Sequence, residues 1–244
     1  MENQIIKLKT VDSTNNYTAK LITQTKIPFG TVIMADFQSK GKGQRNQPWV
    51  SEKSKNLLVS IFVNSSFLNT KSIFYLSKIT ALALREFIYD TLQIETMIKW
   101  PNDIIIGNKK IAGILIENQW KNNHIRSSII GLGININQVV FPKKINAVSF
   151  KKISGKSYDL TLLLNLLNSK FNSWYSILKN KELAVIDKEY HDNLLNYGIW
   201  SIYRTKKIQF KAKLCNVNQF GLLTLELEDG KEQQFSLKEV SQVI

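Results

Sequence analysis

The run Lys99-Trp100-Pro101-Asn102-Asp103-Ile104-Ile105-Ile106-Gly107-Asn108-Lys109-Lys110-Ile111-Ala112-Gly113-Ile114-Leu115-Ile116-Glu117 sets two apolar stretches on either side of a Gly-Asn pair. That pattern predicts a β-hairpin, because glycine and asparagine adopt turn backbone that branched side chains refuse. The tip is read as Gly107-Asn108-Lys109-Lys110, and its lysines, taken alone, are ordinary solvated charges. Downstream, Asn122-Asn123-His124 reads as a polar turn, with His124 a turn residue rather than a ligand. The run from Ser127 to Asn137 reads as a buried strand interrupted by Gly131 and Gly133 and then carrying Asn135 and Asn137. Glycine weakens a strand interior unless something must come close, and buried amides need partners, of which a bound ligand is one.

Upstream, residues 72–89 place Ile73, Leu76, Ile79, Thr80, Ala83, Leu84 and Phe87 at helical spacing, and residues 56–63 form an apolar strand. A further strand, 31–35, delivers the chain through Asp36-Phe37-Gln38-Ser39-Lys40 to Gly41-Lys42-Gly43-Gln44-Arg45-Asn46-Gln47-Pro48-Trp49. This segment has two readings. One is an exposed turn with solvated charges. The other is a phosphate loop, with backbone that can approach an anion, Lys42 and Arg45 to neutralise it and Trp49 to stack on a ring. Near the start, Asp12-Ser13-Thr14-Asn15-Asn16 precedes a helix over 17–22, and its hydroxyl and amide groups either cap that helix or face a ligand.

Beyond 137, residues 160–178 and 182–195 are helical in pattern. Their leucines and aromatics at core spacing argue against a cofactor box, and His191 reads as incidental. From Gly198 the texture changes to short alternating strands at 199–203, 207–217, 222–227 and 232–237, a small β-barrel of about five strands. A boundary therefore falls near 196–198. The formal charge of +14 over 244 residues would draw nucleic acid, anionic lipid or an acidic partner non-specifically. The lysines are scattered in pairs, however, without the long basic block of a nucleic-acid arm. One cysteine, Cys215, excludes an internal disulfide and a multi-cysteine zinc site; in its alternating segment it reads as a small buried residue. The first ten residues carry no apolar signal core, and no apolar run approaches the roughly 20 residues that span a bilayer. A cytoplasmic location is expected.

Taken together, Ser13-Thr14-Asn15, Gln38 with Gly41-Lys42-Gly43-Gln44-Arg45, Trp49, Lys99 to Asp103, Lys110 to Glu117 and Gly131 to Asn137 resemble, in order and spacing, the biotin protein ligases. The likeness covers residues 1–196, and the ending resembles that family's C-terminal domain more loosely. It implies an α+β fold, with a mixed-sheet catalytic domain of the biotin/lipoate ligase type and flanking helices over 1–196, and a small SH3-like β-barrel over 197–244. It also implies a two-step reaction. The biotin carboxylate attacks the α-phosphate of ATP to give biotinyl-adenylate and pyrophosphate. A lysine of a biotin carboxyl carrier protein or domain then takes the biotinyl group.

For the site, the resemblance implies catalytic roles for Lys110, Asp103, Lys42 and Arg45. It implies a biotin pocket of Ser13, Thr14, Asn15, Gln38, Gly41, Lys42, Gly43, Lys110 and Gly113. The ATP or adenylate side would comprise Lys42, Gln44, Arg45, Trp49, Asn102, Lys110 and Asn135. Trp49 would flank adenine, Lys110 would hold the carboxyl and phosphoryl end, and Asp103 would orient a catalytic group or magnesium. ATP with Mg2+ is the implied co-substrate, with no tightly bound prosthetic group and no assigned metal ligands. The chemistry fits the residue types: the first step joins two anions, so cations must screen them, and a loop ordering over the adenylate excludes water. Many relatives carry arginine at the positions of Lys42 and Gln44, and glycine and arginine at those of Asn46 and Gln47. Lysine keeps the charge but loses the bidentate fork.

The ligand motifs begin at Ser13, so no N-terminal DNA-binding domain, no sequence-specific DNA binding and no membrane partner are expected; monomer and homodimer both remain open. Two competing readings are a lipoate-type protein ligase and a basic nucleic-acid-binding protein on a degenerate ligase scaffold. Gln38, Lys110 and Asp103 argue against the second. The Lys-Trp-Pro-Asn-Asp segment and the glycine loop favour biotin over lipoate.

Overall fold

The computed structural model describes residues 4–44, 47–237 and 239–243. In chain order, β1 (Ile5–Leu8), α1 (Thr14–Gln24), β2 (Val32–Ala35) and β3 (Leu57–Asn64) are followed by α2 (Tyr75–Leu92). Then come β4 (Met97–Lys99), β5 (Asp103–Ile106), β6 (Lys109–Lys121), β7 (His124–Ile134), α3 (Phe150–Ser154), α4 (Leu160–Lys179) and α5 (Leu183–Asp192). The chain ends in β8 (Trp200–Arg204), β9 (Gln209–Val217), β10 (Leu223–Leu227), β11 (Glu232–Phe235) and β12 (Ser241–Gln242).

Among the described residues the strands form two sheets. The larger has the order β1-β2-β3-β7-β6-β5-β4. Its β1 and β2 run parallel and its other neighbours antiparallel, so the sheet is mixed, as expected. The smaller has the order β11-β10-β9-β8-β12, antiparallel throughout. It is consistent with an SH3-like domain, although no ladder joins β11 to β12 among the described residues.

The larger sheet is covered on both faces, which explains why β3 is apolar at almost every position. Leu57, Val59, Ile61 and Val63 enter the main core, where α2 and α4 pack. On the other face Ser60 meets α1 through Thr14 and Asn15. The core continues without a break into the smaller sheet through Tyr203, Ala212, Leu214, Val217 and Phe235. The change at 196–198 is thus a change of architecture within one continuous core. Asn196 and Gly198 both hold positive φ there, at 55° and 71°.

Three local expectations are corrected. The hairpin turn is only Gly107-Asn108, with Gly107 at φ 57°, so Lys109 and Lys110 belong to β6; Lys109 is exposed beside the turn, whereas Lys110 is half-buried. Helix α1 begins at Thr14, and Ser13 at its N-cap makes no side-chain capping bond. His191 is not incidental: its Nε2 accepts the Val217 backbone N–H at 3.1 Å, tying α5 to β9. Cys215 is half-buried and burial raises its thiol pKa, which suits a packing residue.

Candidate functional site

Residues directly opposite on antiparallel strands share a face, and the pairing assembles a row across four strands: Leu58, Gly133, Gly113 and Asp103. The next row on that face brings Ser60 opposite Gly131. The glycines are spaces that other side chains occupy. A Cβ on Gly131 would stand 2.5 Å from Asn15 Oδ1, and one on Gly113 would stand 2.9 Å from Lys110 Cε and 3.0 Å from Trp49 Cζ3. One on Gly133 would fall inside the indole of Trp49. What strand logic marks as a weakness is therefore the floor of a cavity.

Lys110 reaches this face through a β-bulge. Ile104 pairs with Ala112 but Ile105 pairs with Lys110, leaving Ile111 as the extra residue. Ile111 and Ala112 both point into the core at 0% exposure. Lys110 and Gly113 consequently share the cavity face despite their spacing of three. The Lys110 Nζ lies 2.6 Å from Asp103 Oδ1 and 5.2 Å from the Trp49 ring centroid. Asn102 fixes the approach to Asp103: its Nδ2 donates to Ile114 O, and its own carbonyl accepts from Ile114 N–H, both at 2.9 Å.

At the other end, Ser13, Thr14 and Asn15 are buried, at 2%, 3% and 2% exposure. Gln38 Oε1 accepts from the Thr14 backbone N–H at 2.7 Å and lies 3.1 Å from Thr14 Oγ1. Asn15 Nδ2 donates to Glu117 Oε2 at 2.8 Å. Ser60 stands beneath, its hydroxyl 2.8 Å from Thr14 Oγ1 and 2.6 Å from Asn15 Oδ1. The glycine-rich segment is itself closed. Gly43 N–H donates to Gln47 O at 2.7 Å, Trp49 N–H to Gly41 O at 2.9 Å, and Lys42 Nζ reaches Asn16 Oδ1 at 2.6 Å. The Trp49 Nε1 is buried without a partner.

Ser13, Thr14, Asn15, Gln38, Lys42, Gly43, Gln44, Trp49, Asn102, Lys110 and Gly113 all line one cavity, with Leu115, Gly131, Leu132 and Gly133. Gly41 stands behind Trp49, where a Cβ would lie 2.6 Å from the Trp49 carbonyl. Asp103 stands behind Lys110. Asn135 lines an adjoining cavity with Trp49, Lys110, Phe141, Ile145 and Ala147, and its Nδ2 donates to Val148 O at 3.1 Å. Arg45 and Asn46 lie outside the described residues. Sequence reasoning did not single out Ser60, Glu117 or Phe141 for the site. Their only signals are a lone serine in an apolar strand, a carboxylate ending a strand, and an aromatic in a polar loop.

Near the Asp103 end the charges are unbalanced toward the positive. Burial lowers the Lys99 pKa; Asp103 opposes the drop, and Lys110 and Arg204 add to it. Asp103 thus has Lys110 in contact at 2.6 Å and Lys99 opposite it on the neighbouring strand. Among the described residues, no group of three or more His, Cys, Asp or Glu is arranged to hold a metal.

The cavity is thus a slot that carries buried hydroxyl and amide groups together with lysine ammonium groups. A profile of the Biotin/lipoate A/B protein ligase family matches residues 8–135. The bifunctional ligase/repressor BirA of Bacillus spizizenii is 30% identical over 230 residues, 93% of this chain and 70% of that protein. The biotin–[acetyl-CoA-carboxylase] ligase of Paracoccus denitrificans is 26% identical, over 92% of this chain and 95% of that one. Among solved structures, the biotin protein ligase of Aquifex aeolicus in complex with biotin and ATP superposes with a TM-score of 0.81 at 26% identity, covering 98% of each chain. The chain belongs to the Biotin/lipoate A/B protein ligase family, and it is a ligase.

Proposed function

We propose that this chain activates biotin with MgATP to biotinyl-5'-adenylate and transfers biotin to a lysine of a biotin carboxyl carrier domain. The observation that carries the reading is the buried polar set Ser13, Thr14 and Asn15, with Gln38, at the end of the cavity remote from Lys110. A ureido ring offers donors and acceptors to such a set. A lipoyl dithiolane offers neither and would gain no hydrogen bond from such a set.

In the first step a carboxylate oxygen of biotin attacks the α-phosphorus of ATP and pyrophosphate leaves with the bond electrons. Lys110, held by Asp103, is placed to screen the carboxylate and phosphoryl oxygens as they approach, and Lys42 is placed to approach from the glycine loop. Arg45 belongs to the same reading. Lys99, paired across the strands with Asp103, adds positive charge behind Lys110. Magnesium arrives on ATP, where phosphate oxygens and water supply most of its ligands. In the second step the carrier lysine amine attacks the acyl carbonyl, AMP leaves, and an amide forms.

The cavity is only about 40 Å³ while Trp49 lies across its glycine floor. Sites that enclose small ligands run from about 300 Å³ upward, so in this reading the Trp49 ring leaves the glycine floor as substrate binds. The unpartnered Trp49 Nε1 lowers the cost of that movement. Trp49 would then stand against adenine between the two cavities, with Asn102 and Asn135 on the nucleotide side. The same reading assigns residues 1–196 to catalysis and treats 197–244 as a second domain. To test it, purified protein is mixed with biotin, MgATP and an isolated carrier domain. Pyrophosphate release and a biotin-sized mass gain on a single lysine are expected, and lipoate in place of biotin should give neither. Equal turnover of lipoate would refute the substrate assignment.

A further inference from the structure

The turn joining β9 to β10 lies outside the cavity, yet it docks onto the segment that carries Asn102 and Asp103. Three hydrogen bonds place it. Trp100 Nε1 donates to Gly221 O at 3.1 Å, Lys78 Nζ donates to Val217 O at 2.9 Å, and the Val217 N–H donates to His191 Nε2 at 3.1 Å. Trp100 is 7% exposed and Lys78 1%, so these bonds are made away from water. Asp187 stands 2.6 Å from the Lys78 ammonium and holds it toward the turn. Gly221 has φ 81°, and a Cβ there would enter the ring of Phe74 at the head of α2. The turn keeps its shape through Asn218, whose Oδ1 accepts from the Phe220 and Leu222 N–H groups at 2.9 and 3.0 Å.

On its other side the same segment is held by the chain leading to the smaller sheet. The Ile98 N–H donates to Asn193 O, and the Leu195 N–H to Ile98 O, each at 2.9 Å. Two residues beyond Trp100, Asn102 locks to Ile114, and the next residue, Asp103, receives Lys110. From the indole of Trp100 to the carboxylate of Asp103 the chain has little room to absorb a shift.

We propose that the β9–β10 turn is a positioning element for the activation step and that Trp100 is the positioning residue through which it acts. By holding the Trp100 indole, the turn sets where the 100–103 segment meets β6, and hence where Asp103 presents the Lys110 ammonium. This rests on the proposed biotin-activating reaction. Small misplacements of a screening charge are expensive in rate, whereas the polar pocket for the ring of biotin is built on α1, β3 and Gln38 and does not depend on the turn.

The test uses the full chain and four variants. Trp100→Phe keeps an aromatic ring but removes the donor together with part of the indole's volume; Gly221→Ala pushes the turn off Phe74 with Trp100 intact. Both should slow biotin-dependent pyrophosphate release in a single turnover by roughly tenfold or more, with the biotin dissociation constant unchanged. Trp100→Phe and Gly221→Ala combined should be no worse than the slower of the two, because both break one coupling. Should either fail to fold, Asn218→Ala loosens the turn from outside the docked surface and should show the same pattern, a lower rate at unchanged biotin affinity. Wild-type rates in the folded variants would overturn the proposal, as would rate and biotin affinity falling together with the melting temperature. If the wild-type chain releases no pyrophosphate with biotin and MgATP, the reaction assignment itself fails, and this inference with it.

Discussion

The side chains of Lys110 and Asp103 are 30% and 27% exposed. A pair that wet contributes only about 0–1 kcal/mol to stability, so its reason for being is the field it makes in the cavity. Lys110→Ala is expected to slow pyrophosphate release by about a hundredfold or more while moving the melting temperature by no more than a few degrees. An unchanged rate would remove Lys110 from the mechanism. Ser60 presents the opposite case, a fully buried hydroxyl that supports Thr14 and Asn15 from below. Ser60→Ala leaves those groups a partner short, at a cost of about 1–3 kcal/mol, and should also raise the biotin dissociation constant; unaltered binding by calorimetry would show that Thr14 and Asn15 hold their orientation unaided. The two residues differ in how visible they are from sequence. Lys110 stands out through the motif around it. The serine in β3 shows only that a polar group is buried, since its partner Asn15 lies 45 positions away and only the packing of α1 on the sheet brings them together.

At the level of elements, the hairpin, the long helices and the strand texture of the ending follow from apolar periodicity, and the structure bears them out. The glycines of β7 are also legible as places where something comes close. What comes close is not legible, because the indole of Trp49 and the amide of Asn15 arrive from a loop and a helix on other parts of the sheet. The local signal at Ser13 leaves two readings open for a related reason: helix-capping residues and ligand-facing residues are the same types, and only tertiary placement separates them. Gly133→Val should expel the Trp49 indole from the floor. Indole emission should shift to the red in the free protein, and the Michaelis constant for ATP should rise; emission like that of the wild type would mean the ring does not rest there in solution.

Across the whole molecule, a net charge of +14 gives no face by itself; the cations that bear on the cavity are the two in its lining among the described residues, Lys42 and Lys110. The two sheets share one core, and their contact includes a titratable pin. Burial, and then the charge of Lys78, lowers the pKa of His191, against the pull of Asp187. Well above the ordinary value of 6.5, His191 is neutral in both the folded and the unfolded chain and carries no penalty. As pH falls through that value the unfolded chain takes the proton first, so stability drops until the folded histidine titrates as well. The melting temperature should therefore decline from about pH 7 to about pH 5, and His191→Gln, which can still accept the Val217 N–H, should flatten part of the decline. An identical slope in the variant would place the sensitivity elsewhere.

The unpaired Ile111 gives this stretch of β6 an arithmetic of its own. A strand assigns its side chains to one face or the other by odd and even count, and the extra residue resets the count between the core and the reacting lysine. Exchanging side chains along 104–112 leaves that assignment alone. Adding one residue between Lys110 and Ile111, with the pairing of Gly113 kept, would hand the ammonium's place to a different position of the chain. In this hairpin the length of the sequence, more than its spelling, decides which residue faces the substrate.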